Sequence, residues 1–381
     1  MSRVAVVGAG GIIGPAIVAT LAGEDAVDEI ACLDVNGARA VEVAERHGGG
    51  KATGAALDIR DADAAGRALA GAAVLVNSAS YRINLAVMEA ALRSGCGYID
   101  LGGLFHVTRE QVKLDDRFRA AGLLAVLGMG SAPGKTNVMA ARAVELLGGD
   151  VERIVIGASG RDPDPPPGPL VAPYAVETIL DELTMPTPVV RGGEVVMLAP
   201  MTPAGVVEFG DPVGPAETIY SIHSEQATFP QSLGAKDVSF QLSLDPRFLA
   251  KVRLLSEIGV ASTEEVEVDG VRVVPRRLLL TLLARLPRAE PSMRTVGVHR
   301  IEATGPAGTA VVECVTRAVE GLGFGGGIAS TACPPAVVAG MICRGELAAR
   351  GVVPSERAVP FRPLFERLRA FGVEVREQQP A

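Results

Sequence analysis

Along the first third of the chain, short runs of apolar and β-branched residues alternate with Ala-rich stretches. The runs at 3–7, 30–34, 53–57, 73–77, 97–101 and 123–127 predict strands. Stretches near 12–22, 37–46, 62–70, 83–94 and 108–120 predict the helices between them. One helix between successive strands means βαβ units and a parallel sheet. The strands are apolar almost throughout, as in Val74–Val76 and Leu123–Leu127, which suits a sheet covered by helices on both faces. Ligands of such sheets sit beyond the carboxyl ends of the strands, so the loops at 8–14, 34–36, 58–60, 77–82 and 101–106 carry the chemistry.

From about residue 134 to 330 the pattern changes. Strand-like runs at 153–158, 188–191, 194–198, 217–222, 235–243, 294–304 and 308–316 outnumber helices, with hairpin turns at Arg191–Glu194 and Gly305–Gly308. This predicts an α+β domain with a largely antiparallel sheet. The tail changes again: Pro335–Leu347 reads as an Ala/Val-rich helix and 363–371 as an amphipathic one. The fold class is therefore α/β, a Rossmann-type doubly wound parallel sheet at 1–133 followed by an α+β domain at 134–330. The segment 331–381 stands apart, and Asp162–Pro169 is a low-complexity loop.

Composition narrows the function classes. Of 381 residues 48% are hydrophobic and 21% charged, enough for a substantial core and too apolar for disorder. A net charge of −8 gives no attraction to nucleic acid or anionic lipid. No run of about 18 uninterrupted apolar residues predicts a membrane span. The odd set Cys32, Cys96, Cys314, Cys333 and Cys343 contains no CxxC pair, which points to reduced thiols and a cytoplasmic protein. His47, His106, His223 and His299 form no HExxH or paired spacing, so no metal is expected.

The candidate chemistry begins with Gly8-Ala-Gly-Gly-Ile-Ile-Gly14, which follows the first strand and opens the first helix. Glycine permits a tight turn, lets a diphosphate approach the backbone and brings the helix N-terminus near the sheet. A strict GxGxxG needs glycine at Ile13; Gly14 supplies it one residue late, equally readable as GxxGxxG through Gly8, Gly11 and Gly14. Asp34 closes the second strand, where a carboxylate accepts hydrogen bonds from ribose hydroxyls and repels a 2′-phosphate. That favours NAD over NADP, although Arg39 can partly reverse it; the alternative is that Asp34 caps the next helix. Asp58 closes the third strand, within reach of the adenine or as a cap.

These residues, taken in order, resemble the saccharopine dehydrogenase-like family, which includes lysine 6-dehydrogenase and carboxynorspermidine dehydrogenase. The resemblance runs through Gly8–Gly14, Asp34, Asp58–Asp61, Val76–Tyr81 with Asn84, Gly97–Gly103, Gly128–Asn137 and the tail segment Gly351–Pro360. It implies NAD(P) bound on a Rossmann domain and a C–N bond oxidised or formed beside an amino acid. It also implies that 331–381 packs back onto the first domain, and that two copies dimerise through the middle domain's sheet. The cofactor-binding candidates are then Gly8, Gly10, Gly11, Ile12, Ile13, Gly14, Asp34, Asp58, Asn77, Ser78, Ala79 and Tyr81.

Oxidation at an amine carbon needs a base for the ammonium proton and a pocket for the amino-acid carboxylate. Asp100 and His106, just past the fifth strand, are candidates to bind the ammonium and shuttle its proton; the alternatives are a turn cap and an exposed loop residue. Tyr81 and Arg82 follow the fourth strand, where the nicotinamide ribose is expected, or else serve as packing aromatic and solvated helix start. Lys135, after Pro133-Gly134 at the crossover between domains, can hold a carboxylate, act as a base if desolvation lowers its pKa, or face water. Gly128–Thr136 is no phosphate loop, because Met129 stands where its first glycine belongs. His223-Ser-Glu225 ends a β-run in the middle domain, as a candidate substrate wall facing the cofactor cleft or else as a hydrogen-bonded core histidine beside a surface acid. The catalytic candidates are Asp100, His106, Lys135 and His223.

The sequence thus predicts an NAD(P)-dependent amino-acid dehydrogenase acting on the side-chain amine of lysine or a related diamino acid to give a semialdehyde. The alternatives are reductive condensation of an amine with an aldehyde or keto acid, and a nucleotide-sensing protein without catalysis.

Overall fold

The computed structural model describes residues 2–165, 168, 170–172, 174–286, 292–319 and 321–380. Of the run Asp162–Pro169, Pro166, Pro167 and Pro169 lie outside the described residues. Strands β1 (Arg3–Val7), β2 (Glu29–Asp34), β3 (Ala52–Ala56), β4 (Ala72–Asn77), β5 (Gly97–Asp100) and β6 (Leu124–Leu127) are the six that the alternation predicts. All pair in parallel in the order β6-β5-β4-β1-β2-β3. Val4, Val6, Val74, Val76 and Ile99 pack into one layer of core, and Ala5, Leu75, Tyr98 and Ala125 into another, which is why these strands tolerate almost no polar residue. The expected helix at 108–120 is instead two, Leu104–Gln111 and Asp115–Ala120, joined by a 3₁₀ turn.

The second domain is built on β7 (Arg153–Arg161), β8 (Thr187–Arg191), β9 (Glu194–Leu198), β10 (Pro203–Glu208), β11 (Pro215–Tyr220), β12 (Asp237–Leu242), a small hairpin of β13 (Val266–Val268) and β14 (Val271–Val273), β15 (Val296–Gly305) and β16 (Gly308–Thr316). Its sheet is largely antiparallel, with β12 and β7 its parallel pair among the described residues. The hairpins turn where the glycines stand, Arg191 opposite Glu194 and Gly305 opposite Gly308. Four helices escaped the hydrophobic pattern: Val176–Thr184, Glu225–Ser232, Pro246–Glu257 and Pro275–Ala284. Val176–Thr184 buries Ile179, Leu180, Asp181, Glu182 and Leu183 in succession, so no helical period shows.

The tail serves both domains. β17 (Gly351–Pro354) adds to the parallel sheet beside β6, whereas β18 (Val373–Gln378) pairs antiparallel with β16. The expected return of 331–381 to the first domain therefore describes β17 and the tail helix that packs on helix Gly14–Ala22, and not the final strand. The apolar tail helix starts at Gly326 and runs through Pro334 and Pro335 to Cys343. It packs on helix Gly14–Ala22 and touches β4, β15 and β16, so it ties the two sheets together. By length and a mean hydropathy of 1.4 it could cross a membrane, yet 72% of it is buried inside the fold.

Candidate active site

The glycine-rich turn leaves β1 with Gly8 at φ +79°, and a Cβ there would lie 2.6 Å from the Ala79 amide nitrogen. A Cβ on Gly10 would lie 2.9 Å from Arg39 Cβ, and one on Gly14 2.3 Å from the Ala9 carbonyl oxygen. The turn is closed by local packing that side chains would break. Helix Gly14–Ala22 has Pro15 in its first turn and no side-chain cap, and the amides of Ile12 and Ile13 have no hydrogen-bond partner among the described residues. Such free donors at a helix N-terminus suit a diphosphate. Asp34 accepts hydrogen bonds from the Gly10 amide at 3.0 Å and the Asn36 amide at 2.9 Å. The cap of the following helix is Asn36, so Asp34 is not spent there. A carboxylate has about four acceptor positions, and two remain for ribose hydroxyls. Ile12 in the turn and Val35 next to Asp34 in sequence are 56% and 75% exposed.

The strand ends beside it are tightly wired. Ser78 Oγ donates to the Val7 and Gly8 carbonyls, and Asn77 Oδ1 accepts from the Ala79 amide. Asn77 also donates to Asn84 Oδ1, and Asn84 in turn to Asp100. Asp100 is buried, with donors from Asn84, Tyr98, Gly102, Gln111 and Gly128 on its two oxygens. Burial pushes its carboxyl pKa up, against the lowering effect of those bonds. Tyr81 donates to Asp181 of the second domain at 2.7 Å, and Arg82 pairs with Asp181 and Glu177. Burial and Asp181 both raise the Tyr81 pKa.

Two candidates stand away from this assembly. Asp58 is exposed and clasped by Arg60 at 2.8 and 2.7 Å, which holds its carboxyl near a pKa of about 2, while Asp61 caps the next helix. His106 is exposed on helix Leu104–Gln111 with its ring edge against Phe105.

The second domain meets the first through helix Glu225–Ser232, which packs on helix Leu104–Gln111, and through Asp181 of helix Val176–Thr184. Ser224 accepts from the Gly103 amide and Thr108, so His223 stands one residue from the loop beyond β5. The His223 ring stacks on Phe240 at 3.5 Å, with Nδ1 3.6 Å from Glu225 and Nε2 3.9 Å from Glu182. Burial disfavours its charged form, but the two carboxylates outweigh this and raise its pKa. Burial likewise raises Glu182, which accepts a hydrogen bond from Tyr174. Thr136, beside Lys135, donates to Glu225 at 2.9 Å.

Lys135 is wholly buried. Its Nζ donates to Ser330 at 2.6 Å, Thr316 at 2.8 Å and, weakly, Cys314 Sγ at 3.8 Å, with no carboxylate in contact among the described residues. Desolvation lowers its pKa. A water-facing lysine is thereby replaced by an inward one. Among the described residues no His/Cys/Asp/Glu group could hold a metal ion. Sequence reasoning missed Asp181, Glu182, Tyr174, Arg276, His299, Ser131, Ser330 and Glu356; the adjacent acids Asp181-Glu182 amid apolar residues were the one available signal.

The saccharopine dehydrogenase NADP-binding domain matches residues 4–126, and the saccharopine dehydrogenase C-terminal domain matches residues 130–373. The chain belongs to the saccharopine dehydrogenase family. It is a saccharopine dehydrogenase-like, NAD(P)-binding oxidoreductase. Over 299 residues it is 24% identical to carboxyaminopropylagmatine dehydrogenase of a Synechocystis species, covering 74% of this chain and 72% of that one. It is 25% identical over 227 residues to carboxynorspermidine synthase of Vibrio cholerae, covering 55% of this chain and about half, 53%, of the relative. The structure of saccharopine dehydrogenase (L-Glu forming) from Saccharomyces cerevisiae superimposes with a TM-score of 0.74 at 16% identity, covering 100% of both chains, a likeness of fold.

Proposed function

We propose that this family member acts on the CH–NH bond of an amino acid or amine, with NAD preferred over NADP. The observation that carries the reading is His223, held between Glu182 and Glu225 at the seam where Ser224 meets Gly103 and Thr108. An imidazole with two carboxylates at its nitrogens can take up and return a proton near neutral pH. Burying three titratable groups together is costly for stability and speaks for catalysis over nucleotide sensing alone.

A bound nicotinamide supplies hydride exchange. The chain's own residues supply the rest. Gly8–Gly14 would hold the diphosphate and Asp34 the adenosine ribose, while Asn77, Ser78, Ala79 and Tyr81 border the nicotinamide side. Asp100 fixes the loops at Gly102 and Gly128 and has no acceptor to spare for a substrate, so its role is positioning. His223 holds or releases, at its Nε2 or Nδ1, the proton of the water that adds to or leaves the substrate imine, steadied by Glu182 and Glu225. Tyr81, Arg82 and Asp181 close the two domains and limit water at the seam.

Oxidative deamination of lysine or a related diamino acid is one direction of this chemistry. The other, reductive condensation of an amine with an aldehyde or keto acid, gains support from relatives named for carboxylated polyamines. Absorbance of the reduced nicotinamide, followed with a panel of amines and amino acids in both directions, tests the proposal. Turnover with lysine and NAD alone selects deamination, and a requirement for a carbonyl partner selects condensation. No turnover with any amine in either direction rejects both.

A further inference from the structure

Lys135 presents a problem that direct substrate binding does not solve. Its ammonium group is sealed from solvent, yet it is the one lysine of the chain that is buried. Its hydrogen-bond partners are hydroxyls and a thiol, with no carboxylate to neutralise a fixed charge. An unpaired buried charge is expensive, so such a group is neutral or exchanges its proton along a path.

A path is present. Ser330 Oγ lies 2.6 Å from Lys135 Nζ and 2.6 Å from Ser131 Oγ. Ser330 belongs to the apolar tail helix and is buried. Ser131 belongs to the loop beyond β6, at the carboxyl end of the parallel sheet where substrates of such folds lie. Ser131 is half-buried, whereas Ser330, Lys135, Thr316, Cys314 and His299 are all buried. The outlet of the network is therefore Ser131.

We propose that Lys135, Ser330 and Ser131 form a proton relay in which Ser131 Oγ exchanges a proton with the substrate amine and Lys135 Nζ stores it. The proposal rests on the amine chemistry read above. In the oxidative direction the substrate ammonium gives a proton to Ser131 Oγ, Ser131 passes its own to Ser330 Oγ, and Ser330 passes its own to the Lys135 amine. Each hydroxyl gains one proton and loses one, and the lysine ends as ammonium. Reduction runs the same steps backwards.

His299 offers a second store, with Nε2 3.2 Å from Ser131 Oγ. Burial and the neighbouring Lys135 and His223 push its pKa far below the ordinary value, so it stays neutral and orients Ser131. The titratable groups around Lys135 are Cys314 on β16, Cys333 on the tail helix, and His299 on β15. Both thiols are pushed up by burial and remain protonated at neutral pH.

Two measurements test the relay. In protein labelled at lysine Cε, the Lys135 resonance, assigned by its loss in Lys135→Met, should titrate below those of Lys51, Lys113, Lys236 and Lys251. Ser330→Ala should shift that titration and Ser330→Thr should restore it. In turnover assays Ser330→Ala should lower kcat about hundredfold, the scale of general acid–base catalysis, with dinucleotide affinity close to wild type. Wild-type kcat should fall toward acid pH as Lys135 becomes protonated, and Ser330→Ala should lose that fall. A Lys135 that titrates with the surface lysines, or a Ser330→Ala profile that keeps its acid limb, overturns the relay. A wild-type chain that turns over no amine rejects the amine reading instead, and the relay is then decided by the Cε titration.

Discussion

The Tyr81 hydroxyl donates to Asp181 Oδ2 at 2.7 Å, joining the loop after β4 to a helix of the second domain. Arg276 reaches the other oxygen of Asp181 at 3.0 Å, and Arg82 completes the set from the first domain. Asp181 adjoins Glu182, so one helix turn carries both the clasp between domains and a carboxylate of the His223 cluster. Closure of the seam and placement of the imidazole are mechanically linked.

Removing the Asp181 carboxylate leaves Arg276 buried and uncompensated, a loss of about 3–5 kcal/mol for a broken buried pair. Tyr81→Phe deletes one hydrogen bond, worth about 1 kcal/mol. We expect Asp181→Ala to lower the denaturation midpoint far more than Tyr81→Phe. Both should lower kcat/KM for the amine more than they lower dinucleotide affinity. Equal stability of the two variants would show that Asp181 is not the hub of the clasp.

At the nucleotide turn the prediction is steric. Gly10→Ala would place a methyl group 2.9 Å from Arg39 Cβ and 3.2 Å from the Asp34 carboxylate. The turn must open, and NAD affinity should fall by tenfold or more, about 1.4 kcal/mol. Asp34→Ala removes a charged acceptor worth about 1.5–3 kcal/mol and the repulsion of a 2′-phosphate. It should weaken NAD and narrow the gap to NADP, as read by dinucleotide titration. Unchanged affinity for both would refute the ribose role.

Asp100 bears on stability before chemistry. Alanine there strands the Gly102 and Gly128 amides, each at about 1–3 kcal/mol when buried and unpaired. Asp100→Ala should therefore unfold at markedly lower denaturant, whereas His106→Ala, on an exposed helix face, should change neither stability nor turnover. A fully stable Asp100→Ala chain would contradict the burial of its five donors.

The strands β1 to β6 were legible because most of them are apolar on both faces and each turn carries its own punctuation, whereas β17, the short Gly351–Pro354 that completes the sheet, carries too few residues to declare itself. The Gly8–Gly14 cradle and Asp34 were legible for the same reason: their chemistry is local. The second half of the site was not. Lys135 meets Ser330 and Thr316, and His223 meets Glu182, only after the domains fold together, and no spacing along the chain encodes those meetings. Helix Val176–Thr184 hid itself by burying two acids among its leucines, where a polar residue ordinarily signals solvent. The final strand was not predicted, because Val373–Gln378 is mostly charged and polar after its first three residues and gives no clear strand pattern.

The tail contributes one more titratable group, and with it a pH dependence of known sign. Glu356 is buried between β17 and helix Lys135–Leu146, accepting from Asn137 Nδ2 at 2.8 Å and Ser232 Oγ at 2.6 Å. Asn137 in turn accepts the Gly134 amide at 2.8 Å, so Glu356 fixes the residue that shapes the turn before Lys135. Burial raises the Glu356 pKa above its ordinary 4.5, against the lowering effect of its hydrogen bonds. A carboxyl whose folded pKa is raised binds its proton more tightly in the native state, so its contribution is complete below pH 4.5 and is lost as pH rises through the folded value. Glu356→Gln keeps an acceptor for Asn137 and cannot ionise. Denaturation followed across this range should find the variant close to wild type below pH 4.5 and more stable than wild type at neutral and alkaline pH. The opposite order, with wild type gaining on the variant as pH rises, would mean that the ionised carboxylate is the form the fold prefers.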